Sequence, residues 1–322
     1  MSTTSTAEPR SSETPPRGPH AVAVVAAVFT WPLIFVGGLV TTYRVGMAVP
    51  DWPTTFGMNM FLFRFWEAAW GVFIEHGHRL YGAAVGLATL ILAVWFVAAD
   101  RRASMKALGV FALVAVIGQG VLGGYRVRLN STALAAVHGA TAQAFFALMV
   151  ALCVLTGRSW STPSGRAADV ERLRRRSAVT LAMIYLQVVI GAWLRHFGTG
   201  TGLALHALLA TAVWGHAAVL VWRVARQKRD APELAPAARA MALAVTFQVL
   251  LGLAAWWFLL PFDGRARFVT TPQALVRTAH QANGALLLGS AVVLTLRSFR
   301  RLSPTPRVGK SATAPLTWEA VA

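Results

Sequence analysis

Eight apolar runs constrain this chain more than anything else in it. They cover roughly residues 21–41, 70–98, 106–125, 133–156, 177–195, 202–222, 237–260 and 274–296. A helix rises about 1.5 Å per residue, so about 20 apolar residues cross the hydrocarbon core of a bilayer. Helices suit that core because they satisfy their own backbone hydrogen bonds. Hydrophobic residues make up 56% of the chain and charged residues 13%, against about a quarter charged in soluble domains. The sequence therefore predicts an all-α polytopic membrane protein of eight transmembrane helices, with the lipid bilayer as its surroundings. An even number of spans puts both termini on one side.

The net charge of +18 does not indicate a nucleic-acid partner. The cations sit in short clusters between the apolar runs, where they act as topology signals. Arg101, Arg102 and Lys106 form one such cluster, and Arg172, Arg174, Arg175 and Arg176 another. Both fall on the side of the N-terminus, as do most of the 30 Lys and Arg residues. The positive-inside rule then places both termini in the cytoplasm. Residues 1–20 have the Ser, Thr and Pro content of a disordered tail. Residues 298–322 form a second cytoplasmic tail. The first apolar run is long enough to stay as an anchor rather than be cleaved as a signal. Cys153 is the one cysteine, which excludes an intrachain disulfide and a cysteine-based metal site.

The stretch Ile74-Glu75-His76-Gly77-His78-Arg79-Leu80-Tyr81-Gly82 opens the second apolar run with a cluster of ionisable groups. Such groups inside a membrane helix are costly and tend to be functional. Glu75 and His78 are three residues apart and share a helix face, whereas His76 points elsewhere. An interfacial cluster that never enters the membrane is the plainer alternative. The preceding segment, 42–69, is the longest outer loop. Within it, Val49-Pro50-Asp51-Trp52-Pro53 reads either as a rigid turn or as an interfacial anchor built on Trp52. The outer loop 261–273 carries Arg265 and Arg267.

The chain also repeats. Gln119-Gly120-Val121-Leu122-Gly123 recurs as Gln187-Val188-Val189-Ile190-Gly191 and as Gln248-Val249-Leu250-Leu251-Gly252. Each is followed, across an outer loop, by a histidine near the start of the next run. This pattern divides the chain into a half at 21–156, a cytoplasmic linker at 157–176 and a half at 177–297. The two halves are expected to be pseudo-symmetric four-helix bundles. His78, His138, His206 and His280 then lie at one depth, one per even-numbered helix. Paired imidazoles facing each other in a bundle core suit haem iron as axial ligands. Small residues one turn on, Gly82, Ala142, Ala210 and Gly284, leave room for a flat macrocycle. The plainer role is that each histidine hydrogen-bonds across helices. A closed four-ligand zinc site fits two separate halves less well. Three residues before these histidines stand Glu75, Ala135, Leu203 and Arg277. Only the first half therefore has an acid beside its ligand, and Arg277 suits a haem propionate. His20, His76, His196 and His216 fall outside this pattern and read as tail, structural or interfacial residues.

These residues make the chain resemble the haem A synthase family. The resemblance rests on Pro50-Asp51-Trp52-Pro53, on Glu75-x-x-His78-Arg79, and on His138, His206 and His280. It spans nearly the whole membrane region. It implies an oxidoreductase of the bacterial inner membrane that converts the C8 methyl of haem O to a formyl group. The product would be haem A for terminal oxidases. It further implies haem b on His206 and His280, haem O as substrate on His78 and His138, and Glu75 acting at the reacting centre. The haem O-producing farnesyltransferase is the implied partner; the electron donor or acceptor is left open, and a homo-oligomer is compatible. Many members carry a cysteine pair in the first outer loop, and this chain has none there. That departure, with Thr41-Thr42-Tyr43-Arg44-Val45-Gly46, suggests a divergent branch. Two other classes stand beside this reading: a non-enzymatic bis-haem cytochrome fed by a quinol, and a haem-handling transporter. Glu75 separates the first of these, since electron transfer alone does not need it.

Overall fold

The computed structural model describes residues 17–160, 165–167, 170–227, 229–258 and 268–304. Eight helices in it are long and apolar enough to cross a membrane. They are α1 (Arg17–Thr42), α2 (Trp70–Ala99), α3 (Ala103–Arg128), α4 (Thr132–Thr156), α5 (Val170–Phe197), α6 (Gly200–Arg226), α7 (Ala235–Trp257) and α8 (Thr271–Arg301). Most outgrow their apolar runs, because the helical hydrogen-bond ladder continues into the polar residues at each end. Ser131 and Thr199 start α4 and α6 by accepting the N–H of Leu134 and Gly202 at 3.2 and 3.1 Å. The early start of α1 brings His20 out of the expected tail and into the helix. There its Nδ1 lies 3.1 Å from the Thr156 hydroxyl of α4.

In the first half, α1 packs on α2 and α4, and α3 packs on the same two helices. In the second, α5 packs on α6 and α8, and α7 packs on the same two. Val85, Leu92, Phe96, Met149 and Leu152 centre one apolar core, and Leu220, Met241, Leu288 and Leu294 the other. The halves meet where α8 lies on α1 and α4, and where α4 lies on α5. Ile34, Phe146 and Ala285 form a small cluster at that seam. Small residues permit the close approach: a Cβ at Gly38 of α1 would lie 2.8 Å from Thr278 of α8. Trp31 adds a polar tie, its Nε1 donating to the Ala282 carbonyl at 2.9 Å. Large apolar side chains such as Phe111, Leu208 and Trp222 stay exposed, which is stable against lipid tails and not against water.

One detail departs from an all-helical chain. Gly165–Ala167 in the linker pairs in parallel with Leu302–Pro304 just beyond α8. Arg265 and Arg267, the first sixteen residues and the chain beyond Pro304 lie outside the described residues.

Candidate functional site

Each of the four singled-out histidines lies over a glycine on the helix before it. A Cβ on Gly37, Gly123, Gly191 or Gly252 would come within 2.9 to 3.1 Å of Cε1 of His78, His138, His206 or His280 respectively. Three of these glycines close the Gln-x-x-x-Gly repeat. The fourth, Gly37, has Leu33 where the others have glutamine, so the repeat was not visible in the first helix. The histidines thus take matched places on α2, α4, α6 and α8, each seated by a missing side chain. The small positions one turn on do less than expected. Gly82 does face open space, but Gly284 is packed beside Gln248 and Gln143.

In the second half, His206 and His280 face each other with ring centroids 6.2 Å apart. Two metal–imidazole bonds of about 2 Å each, plus the reach from each nitrogen to its ring centre, add up to about that separation. Gln187 Nε2 lies 3.0 Å from Nδ1 of His206 and donates to its carbonyl at 2.8 Å. Gln248 Nε2 lies 3.3 Å from Nε2 of His280, whose Nδ1 is buried without a partner. In each ring, one nitrogen meets an amide nitrogen and the other makes no hydrogen bond among the described residues. Asn283 holds Gln248 in turn, donating to its Oε1 at 2.8 Å and to the Ala244 carbonyl at 2.8 Å. The residues fit an iron porphyrin held by two imidazoles. Among the described residues, no three His, Cys, Asp or Glu side chains cluster as a closed metal site.

In the first half, Nδ1 of both His78 and His138 is likewise buried without a partner. The two imidazoles are close enough to interact electrostatically. Glu75, buried at 1% exposure, does not stand idle beside them. Its Oε2 accepts the Val49 N–H at 2.9 Å, and its Oε1 pairs with Arg79 at 3.1 Å and more loosely with Arg126 at 3.9 Å. Arg79 donates onward to the carbonyls of Val49 and Asp51 at 2.7 Å each, and of Thr54 at 3.3 Å. Glu75 and Arg79 therefore clamp the first outer loop onto α2.

The loop is built to be clamped. Asp51 turns its carboxylate back on the chain and accepts from the Thr54 hydroxyl and the N–H groups of Phe56 and Gly57 at 2.6 to 2.9 Å. Partial burial is the largest single influence and raises the Asp51 pKa, but those hydrogen bonds together hold it below the ordinary carboxylate value. Trp52 lies over Gly124 of α3, where a Cβ would be 2.2 Å from its ring. It is a packed residue of the site wall, not only an interfacial anchor. His76 is fully buried; its Nδ1 is 3.0 Å from the Thr55 hydroxyl, and its ring sits between Phe63 and Phe65. It anchors the loop from the other side of α2.

Arg126 and Arg195 were not legible as site residues, because nothing in their sequence surroundings sets them apart. Arg195 of α5 crosses the seam, donating to the Gly38 carbonyl at 2.7 Å, to the Arg277 carbonyl at 3.2 Å, and to the Thr42 hydroxyl. Arg277 is half-buried near His280, with its carbonyl thus engaged.

Residues 58–205 match the model of a family described as cytochrome oxidase assembly protein. The matched stretch holds Glu75, His78, Arg79 and His138 and ends just before His206. Over part of its length the chain is similar to proteins named haem A synthase. The relative from Parvibaculum lavamentivorans, named haem A synthase, is 28% identical over 221 residues, covering 56% of this chain and 61% of that protein. One of the same name from Erythrobacter litoralis is 31% identical, covering 45% of this chain and 43% of its own. A third, from Granulibacter bethesdensis, is 27% identical over 49% of this chain and 43% of its own. The chain spans about half the length of the curated relatives it matches. Its eight apolar helices make the chain a multi-pass membrane protein.

Proposed function

We propose that this chain is a haem A synthase, oxidising the C8 methyl of haem O to a formyl group in the bacterial inner membrane. Both termini face the cytoplasm, as the distribution of Lys and Arg argues. The observation that carries the proposal is the facing pair His206 and His280, with centroids 6.2 Å apart and a glutamine behind each ring. His206 and His280 would hold haem b, which when bound supplies one-electron transfer. Haem O is the substrate in the first half, on His78 and His138, beside the clamped outer loop. Arg277 is offered as the partner of a propionate.

The residues of this chain do three things toward the reaction. The glycines Gly37 and Gly123 let the two imidazoles lie close against α1 and α3. The loop held by Glu75, Arg79 and Asp51 covers that side of the site and limits water. Glu75 stands on the same helix face as His78, one turn earlier, where a carboxylate can pass protons released as the methyl is oxidised. The test is to express the chain beside a haem O source and identify extracted haems by mass. Haem A is the expected product. Haem b with unchanged haem O would instead support the non-enzymatic bis-haem cytochrome. That second reading is favoured by one observation: both Glu75 oxygens are already engaged in holding the loop.

A further inference from the structure

A second cluster of polar side chains lies away from the four paired histidines, at the end of the bundle where α5 starts and α6 finishes. Arg175 and Arg176 of α5, with Val179, face His216 of α6 across a groove of about 390 Å³. His216 is ten residues beyond His206, so about 15 Å further along α6. The groove lining contains no acid.

The hydrogen bonds fix what His216 offers. The Thr180 hydroxyl donates its one proton to the Arg176 carbonyl at 2.8 Å. The contact of 2.7 Å between Thr180 Oγ1 and Nδ1 of His216 must therefore carry the proton of the imidazole. Neutral His216 is the Nδ1–H tautomer, and its Nε2 can only accept. Arg176 Nε is buried without a partner, and so is Nε of Arg223, two turns beyond His216 on the same face of α6. Among the described residues, the groove thus presents the Arg175 and Arg176 guanidinium groups with no acid on its lining, beside one imidazole acceptor.

We propose that this groove binds the phosphodiester headgroup of an acidic phospholipid bearing a free hydroxyl, of the phosphatidylglycerol type. The guanidinium groups take the phosphate oxygens, and Nε2 of His216 accepts from the headgroup hydroxyl. A lipid rather than a free anion follows from the surroundings. Val179 on the groove wall and Leu186 two turns on are both exposed and apolar, and they continue from the groove along α5 as a track for an acyl chain. Basic pockets between transmembrane helices on the cytoplasmic side take anionic headgroups for the same electrostatic reason.

The test uses the full-length protein in detergent, with lipid retention read by native mass spectrometry. Phosphatidylglycerol, phosphatidylcholine and inorganic phosphate are supplied in turn. Phosphatidylglycerol should be retained about tenfold more than phosphatidylcholine, a difference of about 1.4 kcal/mol. Replacing Arg175→Gln with Arg176→Gln should remove that preference, while Arg229→Gln with Arg239→Gln, which loses the same charge elsewhere, should keep it. If the first double variant does not fold, Arg175→Gln alone, at an exposed position, gives the reading. Equal retention by wild type and the groove variant would overturn the proposal. So would equal retention of both lipids, or inorganic phosphate alone displacing phosphatidylglycerol.

Discussion

Glu75 holds Val49: its Oε2 accepts the backbone N–H at 2.9 Å, across the junction between α2 and the first outer loop. Its other oxygen neutralises Arg79, whose guanidinium spans the carbonyls of Val49 and Asp51. One buried carboxylate thus fixes both a loop and the cation that grips the loop. Such a group positions the wall of the site whatever else it does.

Glu75→Gln keeps an acceptor for Val49 but leaves Arg79 without its counter-charge. A loss of about 1.5–3 kcal/mol is expected, the usual worth of a hydrogen bond to a charged group. Arg79→Lys should cost a similar amount, because an ammonium cannot reproduce the planar fork over two carbonyls. Thermal unfolding in detergent reads both. Haem extraction then separates the roles. With a proton-transfer role, Glu75→Gln retains haem b and accumulates haem O or its alcohol, while Arg79→Lys still yields some haem A. Equal yields from the two variants would reduce Glu75 to the clamp.

Gly191→Ala places a methyl 2.9 Å from Cε1 of His206, closer than real contacts allow. Overpacking of this kind costs about 1–3 kcal/mol and moves the ring. Bound haem b should fall in the purified variant, read from its low-spin absorption spectrum. Gly82→Ala meets nothing within 4 Å and should leave that spectrum unchanged.

If His206 and His280 hold haem b as proposed, His206→Ala and His280→Ala should each abolish the bis-histidine spectrum, since each would remove one axial ligand. Gln187→Leu tests the layer behind. The amide N–H of Gln187 is directed at Nδ1 of His206 and draws electron density from the ring, lowering its basicity as a ligand. Its loss should lower the midpoint potential of the bound haem b with the haem retained, measured by redox titration. An unchanged potential would leave Gln187 as packing only.

The Asp51 turn has a pH signature. Its folded pKa is depressed, so the stabilisation it gives is present above the ordinary carboxylate value of 3.8 and is lost as pH falls through the folded pKa. The Phe56 and Gly57 amides should be protected from hydrogen exchange at neutral pH and released only in strong acid. Asp51→Asn should weaken that protection at neutral pH by about 1 kcal/mol. Protection that ignores the substitution would show that the turn holds without the carboxylate.

The sequence by itself determined the eight spans, because the length and continuity of an apolar run are local properties that the bilayer reads directly. It also singled out His138, His206 and His280, each following a Gln-x-x-x-Gly repeat, and His78 through the ionisable cluster around it. The tertiary structure alone decided what each histidine rests on. Gly37 carries no glutamine before it, and a glycine is a seat for a ring only when another helix brings the ring to it. The same holds for Glu75. One turn of helix placed it near His78, but Val49 and Arg126 are distant in sequence and reach it only after the loop folds back and α3 packs alongside. Arg195 marks the limit most clearly. Its acceptors lie on α1 and α8, so no local pattern around it could name them, and only the meeting of the two halves assigned its role.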